Sequence, residues 1–226
     1  VIGLGYVGLP LIVSIARYFA ENNIENSDII GFDISDIKIK KLKSKIDPTR
    51  EINHDELKYF ENIKFTSDNN DIRDADLFIV CVPTPINKNN QPNLDFLKSA
   101  SSIIGSELNK TESNINKKLI VFESTVYPGV TEDICVPIIE NTSKKIYGKE
   151  FVVGYSPERI NPGDKVNNIS NITKLVSGSD DETLNWLSYF YSKVISKQVF
   201  KVKNIKTAEA AKVVENIQRD LNIALV

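Results

Sequence analysis

Short apolar runs alternate along this chain with longer stretches whose apolar positions recur at helical spacing, and the alternation persists from the first residues to the last. The runs predict strands at 1–2, 28–32, 64–66, 76–82, 118–123, 151–153, 174–177 and 199–202, with helices filling most of the intervals. Such a sequence of strand, helix and strand implies βαβ units. The expected fold is α/β: a Rossmann-like, doubly wound, mainly parallel sheet with helices on both faces. Asp180, Asp181 and Glu182 follow Gly178-Ser179 and place acidic side chains where they suit a helix N-terminus, so a helix opens there. The polar stretch 87–93 reads as a surface loop. So does 156–172, with Pro157, Pro162 and Gly163, and a loop of that length is more often functional than idle. A last helical pattern begins near Thr207, which gives an expected division into one domain at 1–203 and the start of a long central helix at 204–226. Two residues precede the first glycine, and the last pattern meets no Gly or Pro stop signal, so the expectation is a piece of a longer protein.

Composition changes this picture mainly by exclusion. With 28 basic and 30 acidic residues spread along 226 positions, there is no electrostatic footprint for nucleic acid. No apolar run approaches the roughly 20 residues that span a bilayer, so a membrane role is not expected and the expected location is cytoplasmic. Cys81 sits inside the apolar run 77–82 and reads as a small buried hydrophobe, and Cys135 as a residue packed on a helix. Neither offers metal-ligand spacing, and His54, the one histidine, stands in a polar surface stretch, so no metal site is expected.

Chemistry enters at Gly3-Leu4-Gly5-Tyr6-Val7-Gly8, which follows an apolar strand and precedes an apolar helical pattern. Gly3 permits a tight turn, Gly5 lets backbone approach a pyrophosphate, and Gly8 allows the helix to pack closely on the strand. The helix N-terminus then offers free N–H groups to phosphate. Asp33 ends the second strand 25 positions after Gly8, near the spacing of about 20 at which an acidic residue meets the adenosine ribose. A carboxylate there repels a 2′-phosphate, which favours NAD over NADP. A plain glycine turn with a helix-capping Asp is the bland alternative. Two further strand ends, Val82-Pro83-Thr84-Pro85 and 123–129 with Ser124 and Thr125, offer hydroxyls at the same edge, where ligands bind in open α/β sheets.

On the substrate side, Glu158 and Arg159 follow another strand end. Position alone leaves open whether they serve a cleft or form a solvated ion pair. Lys212 and Asn216 lie four apart on the last helix and project from one face. Side by side over a nicotinamide they can bind the oxygen of an alcohol or a developing oxyanion. With Glu215 nearby, Lys212 also reads as an ordinary exposed helix charge.

Taken together, Gly3-x-Gly5-x-x-Gly8-Leu9-Pro10, Val82-Pro83-Thr84-Pro85, Glu123-Ser124-Thr125-Val126-Tyr127-Pro128-Gly129, Ser156-Pro157-Glu158, and Ala208-Glu209-Ala210-Ala211-Lys212 with Asn216 resemble the nucleotide-sugar dehydrogenase family, along essentially the whole chain. The resemblance implies an enzyme that oxidises the C6 primary alcohol of a UDP-sugar to the uronic acid in two hydride transfers to NAD. It implies cofactor contacts from Gly3, Gly5, Tyr6, Val7, Gly8, Asp33, Lys38, Val82, Pro83, Thr84, Ser124 and Thr125. By the same resemblance Thr125 positions water or the sugar hydroxyl, Glu158 serves the general-base and hydrolysis steps, and Lys212 with Asn216 holds the reacting oxygen. Family members pass through a thiohemiacetal and a thioester on a cysteine beyond the Lys/Asn helix, a position that nothing here matches; the C-terminal UDP-binding domain is absent too. The chain alone is therefore expected to bind NAD without turning over. Arg159 after Glu158 is more similar to the branch acting on UDP-N-acetylhexosamines such as UDP-N-acetylglucosamine or UDP-N-acetylgalactosamine, whose products enter bacterial surface polysaccharides; Glu158, Arg159, Lys212 and Asn216 are its expected substrate contacts. The central helix implies a homodimer or larger assembly. Rival readings are a β-hydroxyacid dehydrogenase, which also carries Lys and Asn four apart after a Rossmann domain, and a non-catalytic NAD-binding module.

Overall fold

The computed structural model describes residues 1–25, 27–111, 117–158, 173–195 and 198–225. In chain order they form α1 (Gly8–Glu21), β1 (Ile30–Phe32), α2 (Asp36–Lys43), β2 (Lys64–Thr66), β3 (Leu77–Val80), α3 (Asp95–Lys110), β4 (Lys118–Phe122), α4 (Val136–Ser143), β5 (Phe151–Tyr155), β6 (Lys174–Gly178), α5 (Asp181–Val194), β7 (Val199–Lys201) and α6 (Ile205–Leu225). Each predicted strand has a counterpart at its place, although β3, β4 and β7 end a residue or two short of the apolar run and β5 and β6 run on to Tyr155 and Gly178. Two intervals differ from expectation. His54–Asn62 and Asn69–Ile72 are 3-10 turns, because each buries only one apolar residue, Phe60 and Ile72, too few to anchor a longer helix.

The strand order is β2, β1, residues 1–3, β3, β4, β5, β6, β7. Ile2 makes an isolated bridge on each side, to Phe32 and Val80, rather than belonging to a full strand: Ile2 N–H donates to Ile79 O at 2.8 Å, and Phe32 N–H donates to Val1 O at 2.9 Å. The glycine loop therefore leaves from the middle of the sheet, where the strand order reverses. Pairing is parallel except between β5 and β6, where Tyr155 opposes Ser177. That single reversal matters for function, because it brings the first residue of β6, Lys174, to the edge at which β4 and β5 end.

The central strands β3, β4 and β5 read as nearly unbroken apolar runs because both of their faces are covered. Phe78, Val80, Ile120, Phe122, Phe151 and Val153 point to one face, under Leu97, Ile104 and Leu108 of α3 and Ile139 of α4. Their alternate neighbours Ile79, Cys81, Leu119, Val121 and Val152 point to the other, under Leu11 and Ile15 of α1 and Leu187 and Tyr191 of α5. Full burial of such side chains is worth about 1.5–3 kcal/mol each. Asp180 caps α5 as expected, accepting from Thr183 N–H at 2.7 Å. Helix α6 begins at Ile205, and its first turn puts Ile205 and Ala208 into the main core.

Candidate functional site

One cleft of about 390 Å³ opens along the carboxyl edge of the sheet, and its walls include Gly3, Gly5, Tyr6, Val7, Asp33, Lys38, Val82, Pro83, Thr84, Ser124, Thr125, Glu158, Lys212 and Asn216. Residues scattered over more than 210 positions of sequence thus share a single space. Gly8 lies just beneath it. Arg159 falls outside the described residues.

The glycine loop is shaped by close approach. Gly3 takes φ +89°, and a Cβ on Gly8 would stand 1.9 Å from Gly3 O, so neither position admits a side chain without backbone movement. Gly5 differs. A Cβ there meets nothing within 4 Å and would simply occupy cleft space, as expected where a pyrophosphate approaches backbone. No side chain among the described residues caps the N-terminus of α1 and its first turn holds no acidic residue, so the positive end of its dipole is open to an anion, although Leu9 N–H donates to Gly5 O at 3.0 Å, Leu11 N–H to Val7 O at 3.2 Å and Pro10 has no N–H. Asp33 is buried and held three ways: Leu4 N–H donates to Oδ2 at 2.9 Å, Ser35 N–H to Oδ1 at 3.0 Å, and Lys38 Nζ to Oδ2 at 2.6 Å. A carboxylate has about four acceptor positions, so capacity remains for a ribose hydroxyl. Beyond Asp33 an apolar pocket of about 270 Å³, lined by Ile34, Phe96 and Ile103 among others, shares Gly3, Asp33 and Lys38 with the main cleft and suits a flat base. The residues therefore fit a dinucleotide.

Thr84 and Ser124 are placed at the cleft with their protons already committed. Thr84 Oγ1 donates to Thr125 O at 2.7 Å and Ser124 Oγ to Val82 O at 2.6 Å, which ties the loops after β3 and β4 together. Each oxygen can still accept. Thr125 itself is exposed in the cleft.

Beneath the other end lies a buried charged cluster that sequence reasoning missed. Lys174 Nζ is 2.7 Å from Glu123 Oε2 and 3.4 Å from Glu158 Oε2, and Tyr191 Oη donates to Glu123 Oε1 at 2.5 Å. Burial pushes the Glu123 carboxyl up from its ordinary range. Burial also pulls on Lys174 in the neutral direction, but the two glutamates outweigh it and hold the ammonium charged. Burial, then the charge of Glu123, pushes the Cys81 thiol well up, and burial pushes Cys135 up to about 11. Neither thiol ionises near neutrality, so neither is an activated nucleophile. The signal for Lys174 was present, a lysine opening an apolar strand, but its meaning depended on the antiparallel turn of β6.

Helix α6 is fixed by Glu209, which is fully buried and accepts from Gly129 N–H at 2.6 Å and Thr131 N–H at 2.9 Å. This clamps the helix to the loop carrying Thr125, with Lys212 and Asn216 one and two turns further on. Lys212 is buried, its Nζ 4.0 Å from Glu215 Oε2; the cleft, not the solvated face, is where it points. Arg219, unremarked in the sequence, also lines the cleft and donates to Asn216 Oδ1 at 2.7 Å.

Comparison with known proteins agrees with this geometry. The profile of the UDP-glucose/GDP-mannose dehydrogenase family, NAD binding domain, matches residues 1–195. Aligned over 226 residues, the chain is 47% identical to Protein CapL of Staphylococcus aureus and 44% identical to UDP-N-acetyl-D-glucosamine 6-dehydrogenase of Salmonella typhi, covering 100% of this chain and 50% of each relative. The structure of UDP-D-ManNAc dehydrogenase from Pyrococcus horikoshii matches with a TM-score of 0.82 at 30% identity, over 100% of this chain and 51% of that one. The chain thus spans about half the length of the curated relatives it matches.

Proposed function

The chain belongs to the UDP-glucose/GDP-mannose dehydrogenase family, and from that premise we propose that the complete gene product oxidises the C6 primary alcohol of a UDP-N-acetylhexosamine to the uronic acid. UDP-N-acetylglucosamine and UDP-N-acetylgalactosamine are the favoured substrates, and the product serves surface polysaccharide synthesis. One observation carries the reading: a single cleft joins a dinucleotide-shaped end at Gly3, Gly5 and Asp33 to a proton-handling end at Glu158, Lys212 and Asn216.

NAD is the cofactor of this domain, and when bound it takes up a hydride from the carbinol carbon. The loop from Gly3 to Gly8 would hold its pyrophosphate and Asp33 its adenosine ribose. Lys212 and Asn216 donate to the alcohol oxygen and stabilise it as its proton leaves. Glu158 accepts that proton, with Lys174 beside its carboxylate, and Thr125 positions water or the sugar hydroxyl. Over the whole reaction the primary alcohol and one water give the acid, two hydrides and two protons. The family's thioester step needs a cysteine, and neither Cys81 nor Cys135 has a thiol fitted to it, so the 226 residues alone bind NAD without turnover.

Assembly and location belong to the same reading. Val214, Ile217, Leu221 and Leu225 stand exposed along one side of α6, and an apolar stripe at that spacing supports a homodimer through this helix. Among the described residues no helix is long and apolar enough to cross a membrane; a cytoplasmic enzyme is proposed.

The test is NADH formation by the complete gene product, with UDP-N-acetylhexosamines, UDP-glucose, GDP-mannose and 3-hydroxyacids offered separately. Two NADH per UDP-N-acetylhexosamine supports the proposal. One NADH per hydroxyacid, with nucleotide sugars inert, overturns it.

A further inference from the structure

An amide side chain has two ends of nearly equal shape and opposite chemistry, and which end Asn216 turns to the cleft decides what it can do there. Asn216 and Arg219 are one turn apart on α6, and both line the cleft. An Arg219 guanidinium nitrogen lies 2.7 Å from the Asn216 side chain. A guanidinium carries donors and no acceptor, so the amide atom it meets must be the carbonyl oxygen. The NH2 half is therefore turned away from Arg219.

We propose that Arg219 is a positioning residue, one that holds the Asn216 amide as a hydrogen-bond donor toward the reacting oxygen. The inference rests on the reading above, in which Lys212 and Asn216 bind the oxygen of the substrate alcohol. A flipped amide would face that oxygen with its own carbonyl and oppose the negative charge that Lys212 is placed to stabilise. A hydrogen bond from a charged donor is stronger than one between neutral groups, and it also draws electron density from the amide, making the NH2 a better donor. The planar fork of arginine fixes the direction of the contact in a way that a single ammonium does less well. Arg219 is half-buried on α6, so Met in its place keeps much of the packing of the aliphatic stem.

A double-mutant cycle in the complete gene product tests this, with steady-state kinetics on the nucleotide sugar, NAD affinity and melting temperature measured for each variant. Arg219→Met should lower kcat by roughly 10- to 100-fold, a part of the 10²–10³ loss typical of a missing oxyanion donor. KM, NAD affinity and melting temperature should stay near those of the unsubstituted enzyme, and Arg219→Lys should recover part of the rate. In an Asn216→Ala background the same Arg219→Met change should cost less than about twofold, because its partner is already gone. An equal cost in both backgrounds, or a raised KM with unchanged kcat, would overturn the inference and make Arg219 an independent binding group. The underlying reading fails separately and visibly: either the unsubstituted enzyme forms no NADH from any nucleotide sugar, or Asn216→Ala leaves kcat unchanged.

Discussion

The two ends of the cleft are built by different means. The cofactor end is mostly backbone: a loop that closes on itself through Gly3 and Gly8, a helix N-terminus that no described side chain caps, and one aspartate that grips the loop through Leu4 N–H. These parts lie within the first 33 residues, and Thr84, Phe96, Ile103 and Ser124 complete the walls around them. The chemical end is side chains brought from five places: Glu123 after β4, Glu158 after β5, Lys174 at the start of β6, Tyr191 on α5 and Lys212 on α6. Shape limits the first end, and charge balance limits the second. The same kind of substitution should accordingly act through sterics at one end and through ionisation at the other.

The largest effect expected is at Lys174. Lys174→Met leaves Glu123 and Glu158 without their shared cation, and removing one partner of a buried pair costs about 3–5 kcal/mol. The loss should depend on pH. Burial already raises the Glu123 carboxyl in the folded protein, and removing Lys174 raises it further. A group with a raised folded pKa contributes its full stability below its unfolded value, about 4.3 for Glu, and loses it as pH rises through the folded value. Urea titrations should therefore show the variant most deficient near pH 8 and least near pH 5; a deficit independent of pH would contradict this charge assignment. Next comes Lys212→Ala, which should lower kcat by about 10²–10³ while NAD affinity, measured by titration, holds. Unchanged turnover would remove Lys212 from the reaction.

How much of this was legible in the sequence follows the same division. The glycine loop and Asp33 were readable because their meaning depends on short spacings and on what a missing Cβ allows. The central strands β3, β4 and β5 were readable because burial on both faces leaves few polar positions to obscure them. Lys212 and Asn216 were readable as a pair, since helical spacing puts them on one face, but their burial was not; that depends on Glu209 clamping α6 to Gly129 and Thr131 about 80 residues earlier. Lys174 was read as a strand residue and nothing more. Its place in the site depends on β6 running antiparallel to β5, and local periodicity carries no information on strand direction. Thr84 and Ser124 were read as hydroxyls offered at the cleft edge, and loop-to-loop hydrogen bonds that no spacing predicts commit their protons elsewhere.

The steric end of the comparison is sharpened by two glycines. Gly8→Ala forces a methyl group to within 1.9 Å of Gly3 O and 3.1 Å of the Cys81 Cβ, so α1 must retreat from the sheet. An overpacked site of this kind costs about 1–3 kcal/mol, and NAD affinity should fall with it as the first-turn N–H groups move. Gly5→Ala meets nothing within 4 Å. Its melting temperature should match that of the unsubstituted protein while NAD affinity falls, because the methyl occupies the cleft alone. Equal losses of stability in both variants would show that the loop is not divided in this way.

The smallest effect, and the one that crosses the division, is at Asp33. This residue belongs to the backbone-built end yet acts by charge, and Lys38 Nζ sits 2.6 Å from it. In Asp33→Asn the side chain keeps an oxygen to accept from Leu4 N–H, loses its repulsion for a 2′-phosphate and leaves the Lys38 ammonium uncompensated. A change of one charge at this largely buried pair should shift binding by about 1.4 kcal/mol, roughly tenfold. NAD should bind more weakly and NADP more tightly, measured by fluorescence titration of each. Adding Lys38→Met should abolish the gain for NADP and leave the loss for NAD. If NADP gains nothing in the single variant while NAD weakens, the carboxylate matters chiefly as the clamp on Leu4, and cofactor choice is made by the shape of the loop it holds.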